Sequence, residues 1–494
     1  NPGGIYRLNV PTGGGKTLTA LRFALAHAAE KEKKRIFFVI PYLSILEQNA
    51  ARIREYLQND ALVLEHHSNV VREAANGEAL DDNELLADSW RAPVVITTLV
   101  QLLNTFFDGR TSCIRRMQAL CGSVLVIDEV QSAPRSLLSL MNLTLNFLSE
   151  VCGATVVLCS ATQPHLEKLR YAMRFAADAD LVPCDGALWE RFRRTEFIDK
   201  RRSGGYDTAE LAALAAETAR KAGSLLLVCN TRAQARTLYA ALGAVWSGKR
   251  RHLSTSMCTK HRKAVLGDVC AALNAREPLI CVTTQLIEAG VDVSFGSVIR
   301  ILAGMDNAVQ AAGRCNREGK RAAENSIVTI FRRTEKAPPL FGQAIGATNI
   351  ALDNNADPAS PQTMENYFHE LRKLNGSAID KIGVIDAFER GRGGSLYPFR
   401  TIAENFRMID NDTRTVYIPW KDGSELIERL CDGACSKKLY RQLGQYAVQV
   451  YDAHFQALYD AGALQTADET NGLDDRSAIL CDLSLYDEKT GLSL

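Results

Sequence analysis

Four short runs limit the folds open to this chain more than any other feature: IFFVI (36–40), PVVIT (93–97), VLVID (124–128) and TVVLCS (155–160). A strand with one face in water alternates polar and apolar residues. Runs that are apolar on both faces must be covered on both sides. They alternate with amphipathic, helix-like stretches such as KTLTALRFALAHAAEKEKK (16–34). Covered strands separated by helices predict a parallel sheet in an α/β layer fold. The texture then repeats. A polar, basic patch (RFRRTEFIDKRRSGG, 191–205) reads as a linker, with RTEFID as a strand inside it. Beyond it come helix 208–222, strand 224–229, helix 232–242, and strands 279–284, 297–302 and 326–331. Residues 1–190 and 191–335 are therefore expected to form two α/β units. From 336 the turn-rich segments KAPPLFG, NNADPASP and ERGRGGS separate helical stretches, the clearest at 363–374 and 435–462. Residues 336–494 are expected to form a third, mostly helical region.

Composition adds little against this reading. At 494 residues, 46% apolar and 23% charged, two or three domains can each bury a core. The net charge of +1 gives no global basic field. That does not exclude a nucleic-acid partner, because backbones can be gripped by local amides and hydroxyls. Cys113, Cys152, Cys159, Cys229 and Cys281 lie in or beside apolar runs, and Cys431 and Cys435 have no second pair to complete a zinc site. Reduced thiols used as small core residues imply a cytoplasmic protein. No apolar run reaches ~18 residues, so no membrane span is expected. His66 and His67 in LEHHSNV are adjacent, point apart, and read as structural. The chain opens on Asn within an apparent strand, which suggests truncation at its N-terminus.

The chemistry begins at NVPTGGGKT (9–17), a glycine-rich turn between strand 5–10 and a helix. Backbone N–H groups of Pro11–Thr12–Gly13–Gly14–Gly15, proline apart, can wrap phosphate oxygens. Lys16 can reach the outer phosphates and Thr17 can ligate magnesium, which predicts ATP and Mg2+ as cofactors. The strict P-loop pattern asks for Gly where this chain has Val10. Asp128 ends a buried strand and can hold the magnesium; Glu129 can orient or deprotonate an attacking water. In LCSATQP (158–164), Ser160 and Thr162 are placed to couple the acidic pair to phosphate.

In the second unit, AVQAAGRCNREGK (308–320) sets Gln310, Arg314 and Arg317 at QxxxRxxR spacing, which predicts both arginines on one helix face. Arginines can neutralise charge on a γ-phosphoryl group. In VTTQLIEAGVDVSF (282–295), Thr283 and Thr284 can donate to nucleic-acid phosphates, and Gly290 and Asp292 can form a turn linking that contact to nucleotide. Softer candidates for backbone contact are Pro41 in PYLSILEQNA, Thr97 and Thr98 in TTLVQLLNTFF, and Thr231 in CNTRAQA, each between a strand and a helix.

Taken in order, these motifs resemble the superfamily 2 helicases over about residues 1–335. VPTGGGKT, LEHHSNV, DEVQSAP, SATQP, QLIEAGVDVSF and QAAGRCNR resemble, more narrowly, the type I CRISPR-associated helicase–nuclease that Cascade recruits. The tail YPFRTIAENFRMID…VYIPW is similar to its type I-C branch. The resemblance implies two tandem RecA-like P-loop domains and an ATP-dependent motor moving 3′ to 5′ on single-stranded DNA, the non-target strand of an R-loop. It implies Cascade as a partner. It also implies an HD-type metal nuclease, yet the chain contains no His-Asp dipeptide. That active site is expected upstream or on a separate chain. Gln131 stands where helicases usually carry Asp or His, and is expected to couple nucleic-acid binding to hydrolysis through its two-way hydrogen bonding. A DNA-repair or RNA helicase is the alternative, and a non-catalytic nucleic-acid clamp a distant one.

Overall fold

The computed structural model describes residues 4–493 except 12–13, 42, 68–86, 88, 183–189, 289–290, 355–356, 359, 376–382, 392–396, 407–412, 435 and 468–471. The chain divides into two compact units, Asn1–Arg193 with Met364–Met408, and Arg194–Thr363 with Ile409–Leu494.

The first unit is built on six strands: β1 Gly4–Asn9, β2 Ile36–Ile40, β3 Val63–His66, β4 Val94–Thr98, β5 Val124–Ile127 and β6 Thr155–Ser160. They pair in the order β1-β6-β5-β2-β4-β3, every pair parallel. Strands β2, β4, β5 and β6 are buried at every position, as their uninterrupted apolar runs require. Helices α1 (Lys16–Glu30), α2 (Leu43–Leu57), α3 (Leu99–Phe107), α4 (Thr111–Leu120) and α5 (Leu138–Glu150) make the connections. The order brings the C-terminal ends of β1, β6 and β5 side by side, with Asn9 opposite Ser160. In parallel α/β sheets that edge is where ligands bind. Val384, Ile385, Ile402 and Phe406 join the core of this unit.

The second unit repeats the plan with β7 Glu196–Asp199, β8 Ser224–Val228, β9 Lys249–Leu253, β10 Leu279–Thr283, β11 Ser297–Ile301 and β12 Ile327–Phe331. Their order is β7-β12-β11-β8-β10-β9, again all parallel. Helices α6 (Thr208–Ala222), α7 (Arg232–Val245), α8 (Thr259–Asn274) and α9 (Met305–Ala312) connect them. The start of α6 carries a capping box between Asp207 and Glu210. The two-unit α/β architecture with parallel sheets is the expected one.

Strands β3 and β9 have no counterpart in the apolar pattern. Both are sheet edges. The sequence of β9, KRRHL, places Arg251 and Lys249 against Asp268. Charge on an edge strand blocks pairing with another chain and hides the strand from a search for apolar runs.

Helices predominate beyond 336, but a four-stranded sheet lies among them. Its strands are β13 Thr413–Tyr417, β14 Ala447–Tyr451, β15 Leu464–Gln465 and β16 Ser477–Leu480, in the order β14-β13-β16-β15. A ribbon of β17 (Tyr486–Asp487) and β18 (Gly491–Leu492) follows. The helix expected over 435–462 is therefore broken into a helix Lys437–Leu443, a 3-10 turn Gly444–Tyr446, strand β14 and a helix Asp452–Asp460. In AVQVY, Val448 and Val450 are buried while Gln449 and Tyr451 face out. That period of two overrides the helical reading.

Candidate functional site

The site in the first unit is assembled at the end of the sheet where β1, β6 and β5 stop. After β1, the chain turns so that Gly14 N–H donates to the Pro11 carbonyl at 3.1 Å. A Cβ on Gly14 would meet Val10 Cγ1 at 2.4 Å, so only glycine fits. Val10, the departure from the strict pattern, is thus the residue Gly14 packs against. Gly15 is left-handed (φ 77°) and begins α1 without a side-chain cap, leaving the start of the helix suited to an anion. Thr12 and Gly13 lie outside the described residues.

Lys16 is the first residue of α1 and its side chain is 10% exposed. Its Nζ lies 3.1 Å from Glu129 Oε1. Glu129 adopts a left-handed backbone (φ 47°) just past β5, a conformation that costs a non-glycine residue about 1 kcal/mol or more. Asp128 Oδ1 accepts the Glu129 N–H at 3.0 Å, and its Oδ2 accepts from Asn49 Nδ2 at 3.3 Å. Thr17 Oγ1 lies 3.5 Å from Asn49 Oδ1. Asn49, buried on α2, therefore joins the two expected magnesium ligands, Thr17 and Asp128. It was not among the sequence candidates, although it stands in PYLSILEQNA.

Gln131 completes the cluster. Its Nε2 donates to Glu129 Oε2 at 2.5 Å. Its Oε1 lies 2.6 Å from the Ser160 hydroxyl, which is 2.5 Å from the Thr162 carbonyl. The one hydroxyl proton serves either acceptor, while Thr162 N–H donates back to Ser160 Oγ at 2.8 Å. An amide is suited to this place because one end donates to a carboxylate while the other accepts from a hydroxyl. Gln163, from the same SATQP segment, donates to Asn9 Oδ1 at 2.5 Å.

Charge explains the protonation. Burial, and then the neighbouring Glu129 carboxylate, push Asp128 up to about 6 from 3.8. Burial alone would lower the Lys16 ammonium, but Glu129 and Asp128 outweigh it and hold Lys16 above its ordinary value. Because Asp128 is raised on folding, its protonated form stabilises the fold fully below about pH 4, and that contribution is lost as pH rises through about 6. A rise of that size is worth at most about 3 kcal/mol. Asp128→Asn should therefore melt higher than the parent at neutral pH without metal or nucleotide, and the gap should close towards pH 4. Calorimetry across that range checks it; a gap independent of pH would mean that Asp128 is not the group.

A buried acid beside a second carboxylate, a buried lysine, a backbone turn with no room for a Cβ and an uncapped helix start are the donor set for a nucleotide phosphate with a divalent cation. Among the described residues there is no group of three or more His, Cys, Asp and Glu able to hold a metal alone. A cation here would share ligands with the phosphates.

In the second unit the expected helix carrying both arginines stops early. Helix α9 ends at Ala312, and Arg314 and Arg317 follow it in turns. Gly313 closes the helix, Cys315 bridges to Phe295, and Asn316 takes a left-handed backbone (φ 47°). Tertiary pairing with the 291–296 segment has overridden the helical spacing. The two arginines consequently differ. Arg314 is buried; its Nε donates to the Ile287 carbonyl at 2.9 Å and its Nη2 to that of Glu288 at 2.8 Å. Arg317 is partly exposed and its Nε donates to Asp292 Oδ1 at 2.6 Å. Gln310 lies on α9, half-buried. Gly290 is outside the described residues.

The residues expected at a nucleic-acid backbone fall into two kinds. Thr97 and Thr283 are fully buried; their hydroxyls donate to the carbonyls of His66 and Leu253, each at 2.9 Å, tying neighbouring strands together. Thr98 and Thr231 cap α3 and α7, accepting from Gln101 N–H at 3.3 Å and Gln234 N–H at 3.1 Å. Thr284 follows β10 and Pro41 follows β2, both half-buried. His66 and His67 sit in a structural setting: His66 is edge-on to Trp90, and burial lowers it to about 3.

Comparison with known proteins agrees with this geometry. Residues 6–169 match the DEAD/DEAH box helicase family, and residues 221–320 match the C-terminal region of the CRISPR-associated nuclease/helicase Cas3. A Cas3 of Haloferax volcanii is 25% identical over 441 residues, covering 68% of this chain and 47% of that protein. A Cas3 of Methanothermobacter thermautotrophicus is 21% identical over 423 residues, covering 81% and 47%. The chain thus spans about half the length of these curated relatives. Among solved structures, T. fusca Cas3 with ADP superposes with a TM-score of 0.71 at 17% identity, covering 99% of this chain and 68% of that one. A CRISPR RNA-guided surveillance complex in a pre-nicking state gives 0.64 at 17% identity, covering 99% and 68%. These structural likenesses establish the fold. Together with the two family matches, which take in both sets of motif residues, they make the chain similar to DEAD/DEAH-box helicases and to the helicase portion of Cas3 proteins.

Proposed function

We propose that this chain is an ATP-hydrolysing motor that moves 3′ to 5′ on single-stranded DNA, the non-target strand of an R-loop, in type I CRISPR interference. The observation that carries the hydrolytic reading is the continuous contact from Lys16 through Glu129 and Gln131 to Ser160 and Thr162, beside Asp128 and Asn49. Lys16 binds the outer phosphates. Glu129 orients the attacking water and accepts its proton. Asp128 and Thr17 would hold Mg2+, which when bound with ATP would offset charge on the phosphates. Arg314 and Arg317 are the second unit's cationic contribution, and Thr98, Thr231 and Thr284 lie where strand ends could meet a phosphodiester backbone. Cascade as recruiter and a nuclease supplied from outside these residues complete the reading.

The test is ATP hydrolysis with a panel of single- and double-stranded DNA and RNA. Strong stimulation by single-stranded DNA is expected; stimulation by RNA alone would overturn the substrate and favour an RNA helicase. No hydrolysis with any of them would leave a clamp. Gln131 offers a finer check. Gln131→Ala removes the side-chain bridge between Glu129 and Ser160. It should reduce stimulation by DNA about tenfold more than basal hydrolysis, about 1.4 kcal/mol of coupling. Equal loss in both rates would refute a coupling role.

A further inference from the structure

An arginine sits in the middle of the second unit's core. Arg300 lies on β11, between β8 and β12, and is fully buried. Its Nε is 2.6 Å from Glu288 Oε1, and both side chains are at most 2% exposed. Its Nη1 donates to Asn230 Oδ1 at 2.6 Å and to the Ile301 carbonyl at 2.7 Å. Glu288 Oε2 accepts from Asn307 Nδ2 on α9 at 3.0 Å. The Glu288 carbonyl is also one of the two acceptors that hold Arg314. Asn230 in turn donates to the Leu302 carbonyl at 2.8 Å and its N–H is met by Gln234 at 3.2 Å. One ion pair therefore joins three segments: 229–235, 285–288 and 305–317.

Stability does not account for it. Taking two charges out of water costs several kcal/mol each, and an apolar pair of equal volume is commonly as stable or more so. Here the pair is also incompletely satisfied. The Arg300 Nε to Glu288 Oε1 contact is close but off hydrogen-bond alignment, and Arg300 Nη2 has no hydrogen-bond partner among the described residues. A greasy contact would pack β11 against the turn. It would not set the direction of the Glu288 carbonyl or tie Asn307 to it, because apolar contacts are not directional.

We propose that the Glu288–Arg300 pair is a positioning device that orients the 285–288 turn and the start of α9, and through them Arg314 and Arg317, for hydrolysis. This rests on the ATP-hydrolysing reading above. Neither residue touches nucleotide; both act through the segments they join.

Three variants test it: Glu288→Gln, Asn307→Ala and the apolar double replacement Glu288→Leu with Arg300→Met. Glu288→Gln keeps a partner for Asn307 but removes the charge. It should lower kcat about 10- to 100-fold, the scale of a small misplacement of catalytic groups, with KM for ATP within about twofold, because the P-loop is in the other unit. The apolar pair should melt at or above the parent temperature yet keep a kcat reduced about tenfold or more. Amide exchange should quicken within 285–288 and 305–317 in both Glu288 variants. Asn307→Ala, which leaves the ion pair in place, carries the test if Glu288→Gln does not fold; it should quicken exchange in 305–312 and lower kcat about tenfold. An apolar pair with parental kcat and parental exchange would overturn the proposal. If the parent itself hydrolyses no ATP, the functional reading fails; the exchange measurement still decides whether the pair orders these segments, and unchanged exchange sinks the proposal separately.

Discussion

Lys16→Ala should lower ATP hydrolysis at saturating single-stranded DNA by at least about 10³, the upper range for loss of one electrostatic donor at a reacting phosphate. Two effects add. The phosphates lose their ammonium contact, and the acidic pair loses the side-chain cation that lies 3.1 Å from Glu129. Lys16 is among the groups that restrain the rise of Asp128. Without it Asp128 is driven further up, so the carboxylate needed for the cation is scarcer at neutral pH. Phosphate release measures the loss. A variant within tenfold of the parent would sink the assignment of this cluster as the hydrolytic site. The second effect has its own signature: raising pH should recover part of any residual rate in Lys16→Ala but not in the parent, because it restores ionised Asp128.

Arg317→Ala should cost about 10³ in kcat if its guanidinium meets charge developing on the γ-phosphoryl group. Affinity for ATP should survive, since Lys16, Gly14 and Gly15 remain. The structure separates this arginine from its neighbour in the motif. The Arg317 guanidinium is held by a partly exposed pair with Asp292, an interaction worth at most about 1 kcal/mol. It can leave Asp292 at little cost. Arg314 is buried and gives two hydrogen bonds to backbone carbonyls; hydrogen bonds from a charged donor are worth about 1.5–3 kcal/mol each. Arg314→Ala should therefore lower the melting temperature clearly, whereas Arg317→Ala should leave it near the parent value. Equal destabilisation by both, or a loss of nucleotide affinity with unchanged turnover in Arg317→Ala, would overturn this division of roles.

The expectation that both arginines share a helix face failed for a reason local spacing cannot see. Positions three apart meet only if the helix continues, and it ends where Cys315 pairs with Phe295. Gln131 went the other way. As a letter it departs from the usual helicase box, yet its place between Glu129 and Ser160 uses both ends of the amide. Asn49 and Arg300 were legible only as anomalies. Asn49 is a buried polar residue on a helix; Arg300 is a charge inside an apolar strand. Such a residue must find a partner, but nothing nearby in the chain says which.

The sequence by itself determined the two parallel sheets, because strands apolar on both faces need cover on both sides and the helices that alternate with them supply it. It also determined the residues of the glycine turn and the acidic pair, because phosphate and metal chemistry restrict which side chains can stand between strand and helix. Only the tertiary structure decided how these residues meet. Asn49 reaches Asp128 across 79 positions and Lys16 reaches Glu129 across 113. Arg300 reaches Asn230 across 70. Those contacts exist because strand order sets β1, β6 and β5 side by side in one sheet and β11 beside β8 in the other. Strand order is the outcome of packing the whole core, and short-range spacing carries no record of it.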